Sequence, residues 1–263
     1  MEKQAWLFRG TDRVRGRCRI VDDATSGLKF LRFGRIVLQG DSLSFATGTE
    51  ETVLLCLKGK GEVRVAGSSY GLGKYDALYV PRDSECQVRC SDLFDLAEIS
   101  APVSGRYPVQ MVRFADVVHD PRLAKDAGFV PYARRLHTII GEENTLAGRL
   151  LVGVTFSQEG NWTSWPPHDH SEVKEEIYLY VDMPAPSFGL HLNYTDFRDM
   201  EMVVPVWEGD AVAIKRGYHY NVATPGTRIG FVWMMAAIRE GEDRAFSTVT
   251  VQPEFAGDRF KLF

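Results

Sequence analysis

Four side chains in the second half of the sequence have the types and the spacing of a metal-binding site. His168 and His170 are separated by one residue, Glu176 follows them, and His219 comes much later in the chain. Because successive residues of a β-strand point to opposite faces, a His-x-His pair on a strand places both imidazoles on one face. Three neutral imidazoles and one carboxylate suit a first-row divalent ion with open coordination positions, whereas a hard ion such as calcium selects oxygen. The sequence therefore predicts one metal site formed by these four residues.

The histidine pair alone is weak evidence, because short motifs often arise by chance. The chain has six histidines, and the prediction depends on three of them falling in two stretches that both have strand character. The other three, His119, His137 and His191, have no comparable neighbours, so we expect packing or surface roles for them. The alternative for the four residues is a polar interior that binds no metal.

The sequence around Glu176 predicts the strand that brings this carboxylate to the ion. Glu176, Tyr178 and Tyr180 share one parity and alternate with apolar residues, as expected for a strand with one polar face. Glu175 points to the opposite face of such a strand, so only Glu176 can reach the ion. Tyr178 is the candidate for an acid or base beside the metal, with an ordinary structural tyrosine as the alternative.

Short runs of β-forming residues dominate the rest of the chain, separated by Gly, Asp and Ser. The predicted strands span residues 28–39, 52–58, 62–66, 77–81, 93–99, 149–158, 176–181, 189–194, 202–206, 211–214 and 228–237. One short segment, 116–127, has helix-friendly content. This many short strands at near-regular spacing predict an all-β fold with two antiparallel barrels or sandwiches.

A weak internal repeat supports two barrels and indicates which of them binds the metal. Residues 75–87 align without a gap with residues 209–221. The alignment and its extension pair Glu85 with His219, Glu51 with Glu176, Leu43 with His168, and Phe45 with His170. The first copy therefore keeps a carboxylate but lacks the imidazoles. We predict an amino-terminal barrel without metal ligands at 1–110, a connecting segment at 111–147 and a metal-binding barrel at 148–263.

Composition excludes several kinds of partner. The chain has 263 residues and a formal charge of −4, with Lys and Arg dispersed, so nothing favours nucleic acid or an anionic membrane. No apolar run approaches the roughly 18 residues of a spanning helix, and the first residues do not resemble a secretion signal, so we expect a cytoplasmic protein. Cys18, Cys56, Cys86 and Cys90 form no Cys-x-x-Cys pair, and we expect them to be reduced and buried.

The motifs of the second half resemble the cupin pattern, in which a glycine precedes His-x-His, a spaced Glu follows, and a Gly-led element ends in the last His. This chain departs from that pattern in three places. Five residues lie between His170 and Glu176, Lys215 replaces a proline, and only one residue separates Gly217 from His219.

More specifically, the stretches GNWTSWPPHDH, EEIYLY and GDAVAIKRGYH, with RRLH upstream at 134–137, are similar to the bicupin family of sugar-acid isomerases. The resemblance covers essentially the whole chain. It implies a bicupin fold of two antiparallel jelly-roll-type barrels and a metal-dependent aldose-ketose isomerase. Of the family's activities, the resemblance is closer to the isomerisation of 5-deoxy-glucuronate to 2-deoxy-5-keto-gluconate in inositol catabolism than to that of 4-deoxy-5-keto-uronate in pectin breakdown.

The implied substrate is a small sugar acid, and the expected cofactor is one divalent ion per chain. Zinc is the first choice, and manganese, iron and nickel stay open because affinity order and availability decide the metal. A uronate carboxylate calls for a guanidinium, which can bind it at two points. Arg135 of the RRLH stretch is the first candidate and Arg239 the second, and each could equally form a surface ion pair. Asn161 and Trp162 are candidates for lining the sugar or for closing a loop.

Two other classes of function stay open. The same three-His, one-Glu set serves iron or nickel dioxygenases in cupin barrels, for which oxygen uptake would be the sign. A non-enzymatic sugar or sugar-acid binding protein would instead hold a ligand without turnover. Within the isomerase interpretation, the nearest alternative is that the substrate is a different acidic sugar or a sulfonated one. The sequence leaves a homo-oligomer open as well.

Overall fold

The computed structural model describes residues 6–257, which form an almost entirely antiparallel β-structure. The strands in chain order are β1 (Leu7–Phe8), β2 (Gly16–Val21), β3 (Arg32–Gln39), β4 (Ser42–Ala46), β5 (Glu50–Gly59), β6 (Gly61–Val65), β7 (Ser68–Leu72), β8 (Ala77–Val80), β9 (Glu85–Arg89), β10 (Leu93–Pro102), β11 (Gln110–Val112), β12 (Ala124–Ala127), β13 (Arg134–Ile140), β14 (Leu150–Ser157), β15 (Trp162–Asp169), β16 (Lys174–Tyr180), β17 (Gly189–Tyr194), β18 (Met202–Val206), β19 (Ala211–Ile214), β20 (Tyr218–Ala223), β21 (Gly230–Ala237) and β22 (Thr250–Val251). The all-β prediction is confirmed. The outer ends of the two predicted barrels, residues 1–5 and 258–263, lie outside the described range.

Helical segments are short. They are α1 (Asp23–Ser26), α2 (Phe114–His119) and two 3-10 turns at Thr11–Arg13 and Pro253–Phe255. The helix predicted over 116–127 instead begins at Phe114 and ends at His119. Pro121 disfavours helical backbone at Asp120, and the chain then pairs with β13 as strand β12. Among the described residues, no helix is long and apolar enough to cross a membrane.

The amino-terminal half consists of two facing antiparallel sheets. The larger has the order β11-β8-β5-β10-β3-β2, and the smaller has the order β4-β9-β6-β7. One apolar cluster fills the space between them, and Leu54, Val63, Val88 and Leu96 are among its fully buried members. The interior of this half is therefore a conventional hydrophobic core.

The carboxy-terminal half repeats this plan with a larger pair of sheets. Their orders are β1-β19-β16-β21-β14-β13-β12 and β18-β17-β20-β15-β22. Three strands of the larger sheet come from outside residues 148–263. Strand β1 covers the edge of β19, and β12 and β13 lie within the segment predicted to connect the halves. Added edge strands satisfy backbone groups that an open edge would expose.

The two larger sheets pack against each other and share a third apolar cluster. It joins Val53 of the amino-terminal half to Val154, Ile177 and Val232 of the carboxy-terminal half. Central strands are therefore buried on both faces, which is why all eight residues of Gly230–Ala237 are buried and read as one apolar run.

Both halves contain the same turn, which fixes how their residues correspond. Tyr75 donates its backbone N–H to the carbonyl of Cys56 at 2.7 Å, and Gly209 donates to the carbonyl of Tyr180 at 3.0 Å. Tyr75 and Gly209 both have left-handed backbone, with φ of 63° and 82°. Cys56 therefore corresponds to Tyr180, and the gapless alignment of these turns agrees with the structure.

The extension of that alignment to the preceding strand is wrong by one residue. Thr52 lies four residues before Cys56, and Glu176 lies four residues before Tyr180. Thr52, and not Glu51, therefore corresponds to Glu176. The strand pairings give the same correspondence. Thr52 lies opposite Val80, and Glu176 lies opposite Ile214. Val80 and Ile214 are equivalent in the gapless alignment of residues 75–87 with residues 209–221. The burial of both strand faces conceals such a one-residue slip in the sequence, because the apolar alternation is lost.

Glu51 corresponds instead to Glu175, and the two make the same contact between the halves. The Glu51 carboxylate accepts hydrogen bonds from the backbone amides of residues 148–150, at 2.6–2.9 Å. The Glu175 carboxylate accepts from the amides of residues 29–31, also at 2.6–2.9 Å. Each carboxylate thus reaches the segment that leads into a central strand, β14 or β3, of the other half. We call this pair of contacts the carboxylate clasp.

The four cysteines are free thiols. Cys56 and Cys86 are buried, and burial raises the pKa of each thiol to about 12. Cys18 and Cys90 are only partly buried, so the prediction of burial is wrong for these two.

Candidate metal centre

Both sheets of the carboxy-terminal half contribute to the predicted metal site. His168 lies near the end of β15, directly opposite His219 on the neighbouring strand β20. His170 follows the last residue of β15, and Glu176 stands on β16 of the facing sheet. All four side chains are buried in the interior of this half. The structure therefore brings the four predicted residues together.

The cluster has the dimensions of a first-row metal site. The three imidazoles each offer a nitrogen within 4.8 Å of the others. Glu176 Oε2 lies 3.1 Å from His170 Nε2 and 3.0 Å from His219 Nε2. Ligand bonds of about 2.0–2.2 Å place neighbouring tetrahedral ligand atoms roughly 3.3–3.6 Å apart, so a small closure or expansion would accommodate an ion. Across residues 6–257, no second group of three such side chains comes as close together.

Backbone carbonyls orient all three imidazole rings. His168 Nδ1 and His219 Nδ1 lie 3.1 Å from the carbonyls of Pro166 and Gly217, and His170 Nδ1 lies 3.4 Å from the carbonyl of Lys174. A carbonyl only accepts, so these contacts assign the ring proton to Nδ1. Each Nε2 lone pair is then directed into the cluster, as in metal sites whose outer hydrogen bonds set the tautomer.

The donor chemistry of the cluster fits a divalent cation. With the ring protons on Nδ1, the Nε2 atoms and the Glu176 carboxylate are all acceptors, yet two such pairs lie only 3.0–3.1 Å apart. Glu176 Oε1 and His219 Nε2 are buried without a hydrogen-bond partner. Buried acceptors that lack a donor are costly. A cation between them would satisfy these lone pairs.

The surroundings keep two of the four side chains, His168 and Glu176, in the deprotonated form that metal binding needs. Burial, assisted by neighbouring His219 and His170, lowers the pKa of His168 well below its ordinary value. Burial acts to raise the pKa of Glu176, but the imidazoles of His170 and His219, whose Nε2 atoms lie 3.1 and 3.0 Å from its carboxylate, outweigh burial and lower that pKa to about 2. Near neutral pH, a cation therefore does not have to displace a proton from His168 or Glu176.

A cavity of about 40 Å³ adjoins the cluster, and Tyr178 lies in its wall. Tyr178 follows Glu176 by two residues on β16 and so faces the same way. Its hydroxyl lies 2.9 Å from Ser164 Oγ, and its ring centroid lies 5.7 Å from that of His219. Burial, with the charge of Glu176, raises the pKa of Tyr178 well above its ordinary value. Tyr178 therefore keeps its proton at neutral pH and can serve as a donor.

Arg134 also lines this cavity, and no other arginine of the described residues does. Its side chain is almost fully buried, and Nη1 donates to the Tyr132 carbonyl at 3.1 Å. The guanidinium carbon lies 5.9 Å from the centroid of the Tyr132 ring. Burial lowers the pKa of Arg134 to about 10, so the side chain is still charged at neutral pH.

The two arginines predicted to bind a carboxylate lie elsewhere. Arg135 follows Arg134 on β13, points the opposite way, and donates from Nη1 to the Asp126 carboxylate at 3.0–3.1 Å. Arg239 forms a 2.6 Å ion pair with Asp243, and its side chain is 65% exposed. The structure brings neither to the cavity, and both form the surface ion pairs that were their alternative role.

Asn161 and Trp162 support a loop and do not line the cavity. Asn161 Oδ1 accepts a hydrogen bond from the backbone N–H of Ala133 at 3.0 Å. The Trp162 ring packs against Trp165 and Tyr220, with centroid separations of 5.9 and 5.7 Å. These contacts correspond to the loop-closing alternative.

Two cavity residues, Arg134 and Ser164, are not among those predicted from the sequence. Arg134 shares its strand parity with Leu136, which also lines the cavity, but the sequence RRLH does not show which parity faces inward. The alternate residue His137 packs against Phe114 and Phe156 at the interface between the halves. No sequence pattern indicates Ser164.

His191 lies behind the cluster and fills a packing role. Its ring centroid is 5.8 Å from that of Tyr178, and its Nδ1 lies 2.8 Å from the Tyr180 hydroxyl. Burial, together with the nearby His219, lowers the pKa of His191 to about 3. The ring is therefore neutral in the folded protein at neutral pH.

The segment after β21 closes one side of the cavity. Phe246 and Val249 contribute to the wall. Lys174 holds this segment down, because its Nζ donates to the carbonyls of Ala245 and Thr248 at 2.8 and 2.9 Å. Phe246 also borders a neighbouring cavity of about 210 Å³. A cavity of about 40 Å³ has room for only a few waters. A ligand as large as a six-carbon acid therefore needs this segment to move or the two cavities to join.

Comparison with known proteins agrees with the fold. The family model described as KduI/IolB matches residues 8–253. A protein from Geobacillus thermodenitrificans named 5-deoxy-glucuronate isomerase is 30% identical over 235 residues, which are 82% of this chain and 83% of the relative. The crystal structure of an IolB-like protein from Salmonella typhimurium superimposes with a TM-score of 0.83 at 25% identity, covering 95% of this chain and 98% of that one. A cupin 2 conserved barrel domain protein from Leptotrichia buccalis has a TM-score of 0.53 at 13% identity, covering 84% of this chain and 88% of that one, and supports the cupin fold alone. The resemblance to a bicupin isomerase family is thus confirmed, and the chain belongs to the KduI/IolB family.

Proposed function

We propose that this protein is a metal-dependent aldose-ketose isomerase that converts 5-deoxy-glucuronate to 2-deoxy-5-keto-gluconate in inositol catabolism. The observation that carries the proposal is the buried cluster of three imidazoles and one carboxylate beside a cavity that contains Tyr178. The name of the 30% identical relative supports the choice of substrate. The metal requirement follows from the donor set and not from that name.

In this proposal His168, His170, Glu176 and His219 hold one divalent ion, with zinc as the first choice. Bound there, the ion would act as a Lewis acid on the carbonyl and neighbouring hydroxyl oxygens of the substrate. The carbonyl contacts at each Nδ1 keep the rings in place before the substrate arrives. Such preorganisation avoids reorganisation during the reaction.

The isomerisation moves one proton from C2 to C1 and a second proton between the attached oxygens. We propose that Tyr178, which lies in the cavity wall beside Glu176, moves the second of these protons: its hydroxyl gives a proton to the carbonyl oxygen on C1 and takes up the proton that the C2 hydroxyl releases. Ser164 Oγ, at 2.9 Å, holds that hydroxyl in position. The apolar wall formed by Phe231, Trp233 and Met235 limits the access of bulk water to the exchanging proton.

The test is a turnover assay of the protein loaded with zinc, manganese, iron or nickel, on a panel of deoxyuronates, uronates and hexoses. We expect ketose formation from 5-deoxy-glucuronate without oxygen, nicotinamide or ATP, loss of turnover on chelation, and its return on adding metal. Oxygen consumption would replace the proposal with a dioxygenase. Tight binding of a sugar acid without turnover would replace it with a binding protein, and turnover of a different acid alone would change the substrate.

A further inference from the structure

We propose that Arg134 binds the carboxylate of the substrate and makes the site selective for sugar acids over neutral sugars. This inference rests on the proposed function, because it assigns one group of that substrate to one side chain of the cavity. The assignment moves the carboxylate-binding role from the exposed Arg135 and Arg239 to a residue inside the protein.

Position is the first argument. Arg134 lines the same cavity as His168, His170, Glu176 and Tyr178. It stands on β13 of the seven-stranded sheet and faces inward with Leu136. Once the segment that contains Phe246 moves to make room, a sugar acid with its aldehyde end at the histidine cluster can direct its other end toward the Arg134 guanidinium in the wall of the same cavity.

Charge is the second argument. A divalent ion held by Glu176 leaves the cluster with a net positive charge, and Arg134 adds another in the cavity wall. An anionic ligand matches this potential, whereas a neutral hexose does not. Arg134 is only 4% exposed, and charges interact more strongly in a buried site than in water. The planar fork of a guanidinium also binds a carboxylate at two points, which adds geometric selection.

An outer cleft provides the competing location for an anion. Arg134 also borders a cleft of about 330 Å³ that contains Arg135 and Arg228. In that cleft, Arg135 is paired with Asp126, and Arg228 lies over the Phe156 ring at 5.1 Å. Arg135 is therefore a matched control, because it has the same residue type on the same strand but faces the outer cleft.

The experiment compares the metal-loaded wild type with R134Q, R134K and R135Q. For each, kcat/KM is measured on 5-deoxy-glucuronate and on 5-deoxy-glucose, which has a hydroxymethyl group in place of the carboxylate. Calorimetry measures the binding of glucuronate and of glucose. Metal content and thermal unfolding are recorded for every variant.

We expect R134Q to lower kcat/KM for the acid by about 100-fold, the usual scale for a lost charge-assisted contact, and to change the neutral sugar little. R134K, which keeps the charge without the fork, should fall between R134Q and the wild type. R135Q should behave as the wild type does. Equal losses on acid and neutral sugar in R134Q, or a selective loss in R135Q, would overturn the inference. If R134Q does not fold, an unchanged acid-to-neutral ratio in R134K overturns it.

The binding data separate this inference from the proposed function. A wild type that turns over no deoxyuronate, but prefers glucuronate to glucose only while Arg134 is present, would overturn the isomerase and support Arg134. Turnover of 5-deoxy-glucuronate with no effect of either Arg134 variant would support the isomerase and overturn the Arg134 assignment. A wild type with no preference for the acid in either assay would overturn the Arg134 assignment.

Discussion

Replacing the neighbours Glu175 and Glu176 separately by Gln should produce two different defects. Glu176 faces the histidine cluster, and Glu175 faces the other half of the protein as part of the carboxylate clasp. We expect E176Q to lose the metal and keep its fold stability, and E175Q to keep the metal and lose stability. The test therefore shows which of the two side chains faces the histidine cluster, and this determines the register of the strand.

The loss of metal in E176Q should be large. An outer-shell partner of a metal is worth about 10–100-fold in affinity, so removing a charged ligand should weaken binding by at least about 100-fold. The stability of the metal-free protein should not fall as a result of this substitution. An amide N–H at position 176 can donate to His170 or His219, whose Nε2 atoms lie 3.0–3.1 Å from the present Glu176 oxygen. We therefore expect the melting temperature of metal-free E176Q to equal or exceed that of the metal-free wild type.

The loss of stability in E175Q follows from three backbone hydrogen bonds. The Glu175 carboxylate accepts the amides of residues 29–31, and an amide side chain retains only one accepting oxygen. Hydrogen bonds to a charged group contribute about 1.5–3 kcal/mol each, and partial exposure of Glu175 reduces the net loss to about 2 kcal/mol. For a chain of this size that corresponds to a fall in melting temperature of about 4–8 °C. Glu51→Gln breaks the matching contact and should behave alike.

The assay combines elemental analysis after dialysis with thermal unfolding of metal-free and metal-loaded protein. The wild type and E51Q are the controls, because the clasp residue Glu51 lies in the half without the histidine cluster. Loss of metal in E175Q with retention in E176Q would refute the register, and Tyr178 would leave the cavity with it. A loss of metal in E51Q would show that metal content follows general instability and not ligand identity.

Three further outcomes are expected. Elemental analysis should find about one tightly bound divalent ion per chain and none after His168→Ala; a second ion that survives this change would contradict a single site. Tyr178→Phe should lower kcat by about 10²–10⁴-fold at unchanged metal content, with a smaller effect for Ser164→Ala, because proton transfer contributes on that scale; an unchanged kcat would remove Tyr178 from the mechanism. In the metal-free protein, His191 has a folded-state pKa of about 3 against an ordinary 6.5, so the unfolded chain binds more protons between these values. The free energy of unfolding should therefore fall as pH drops below about 6.5, by up to about 1.4 kcal/mol per pH unit from this residue. His191→Gln should flatten that slope in urea titrations, and an unchanged slope would contradict the assignment.

The histidine cluster was predictable because its signal is local. His168 and His170 share one face by strand parity, and the alternation after Glu176 places that carboxylate and Tyr178 on one side of β16. Strand parity is a local property, so the prediction that these side chains share a face does not depend on how the rest of the fold is assigned. The metal-binding set therefore required only three strand segments to be recognised, β15, β16 and β20, and their long-range pairing was not needed.

The choice between Arg134 and Arg135 depends on information that is not local. Strand β13 has the interior of the carboxy-terminal half on one side and the interface between the halves on the other, so both of its faces carry apolar residues. The sequence RRLH therefore does not show which arginine faces the cavity. The same double burial conceals the one-residue error that paired Glu51 with Glu176, because a slipped register still places apolar residues on both faces.

The corrected register explains how the two halves divide their tasks. The same strand position holds the clasp carboxylate in both halves, Glu51 in the first and Glu175 in the second. The next residue, which faces inward, is Thr52 in the first half and Glu176 in the second. Contact between the halves requires a carboxylate on the outward face of both copies, whereas the cluster requires one on the inward face of a single copy. The first half therefore keeps the residue that supports its partner without keeping the residue that would face a metal, and it holds the entry to β14 through Glu51.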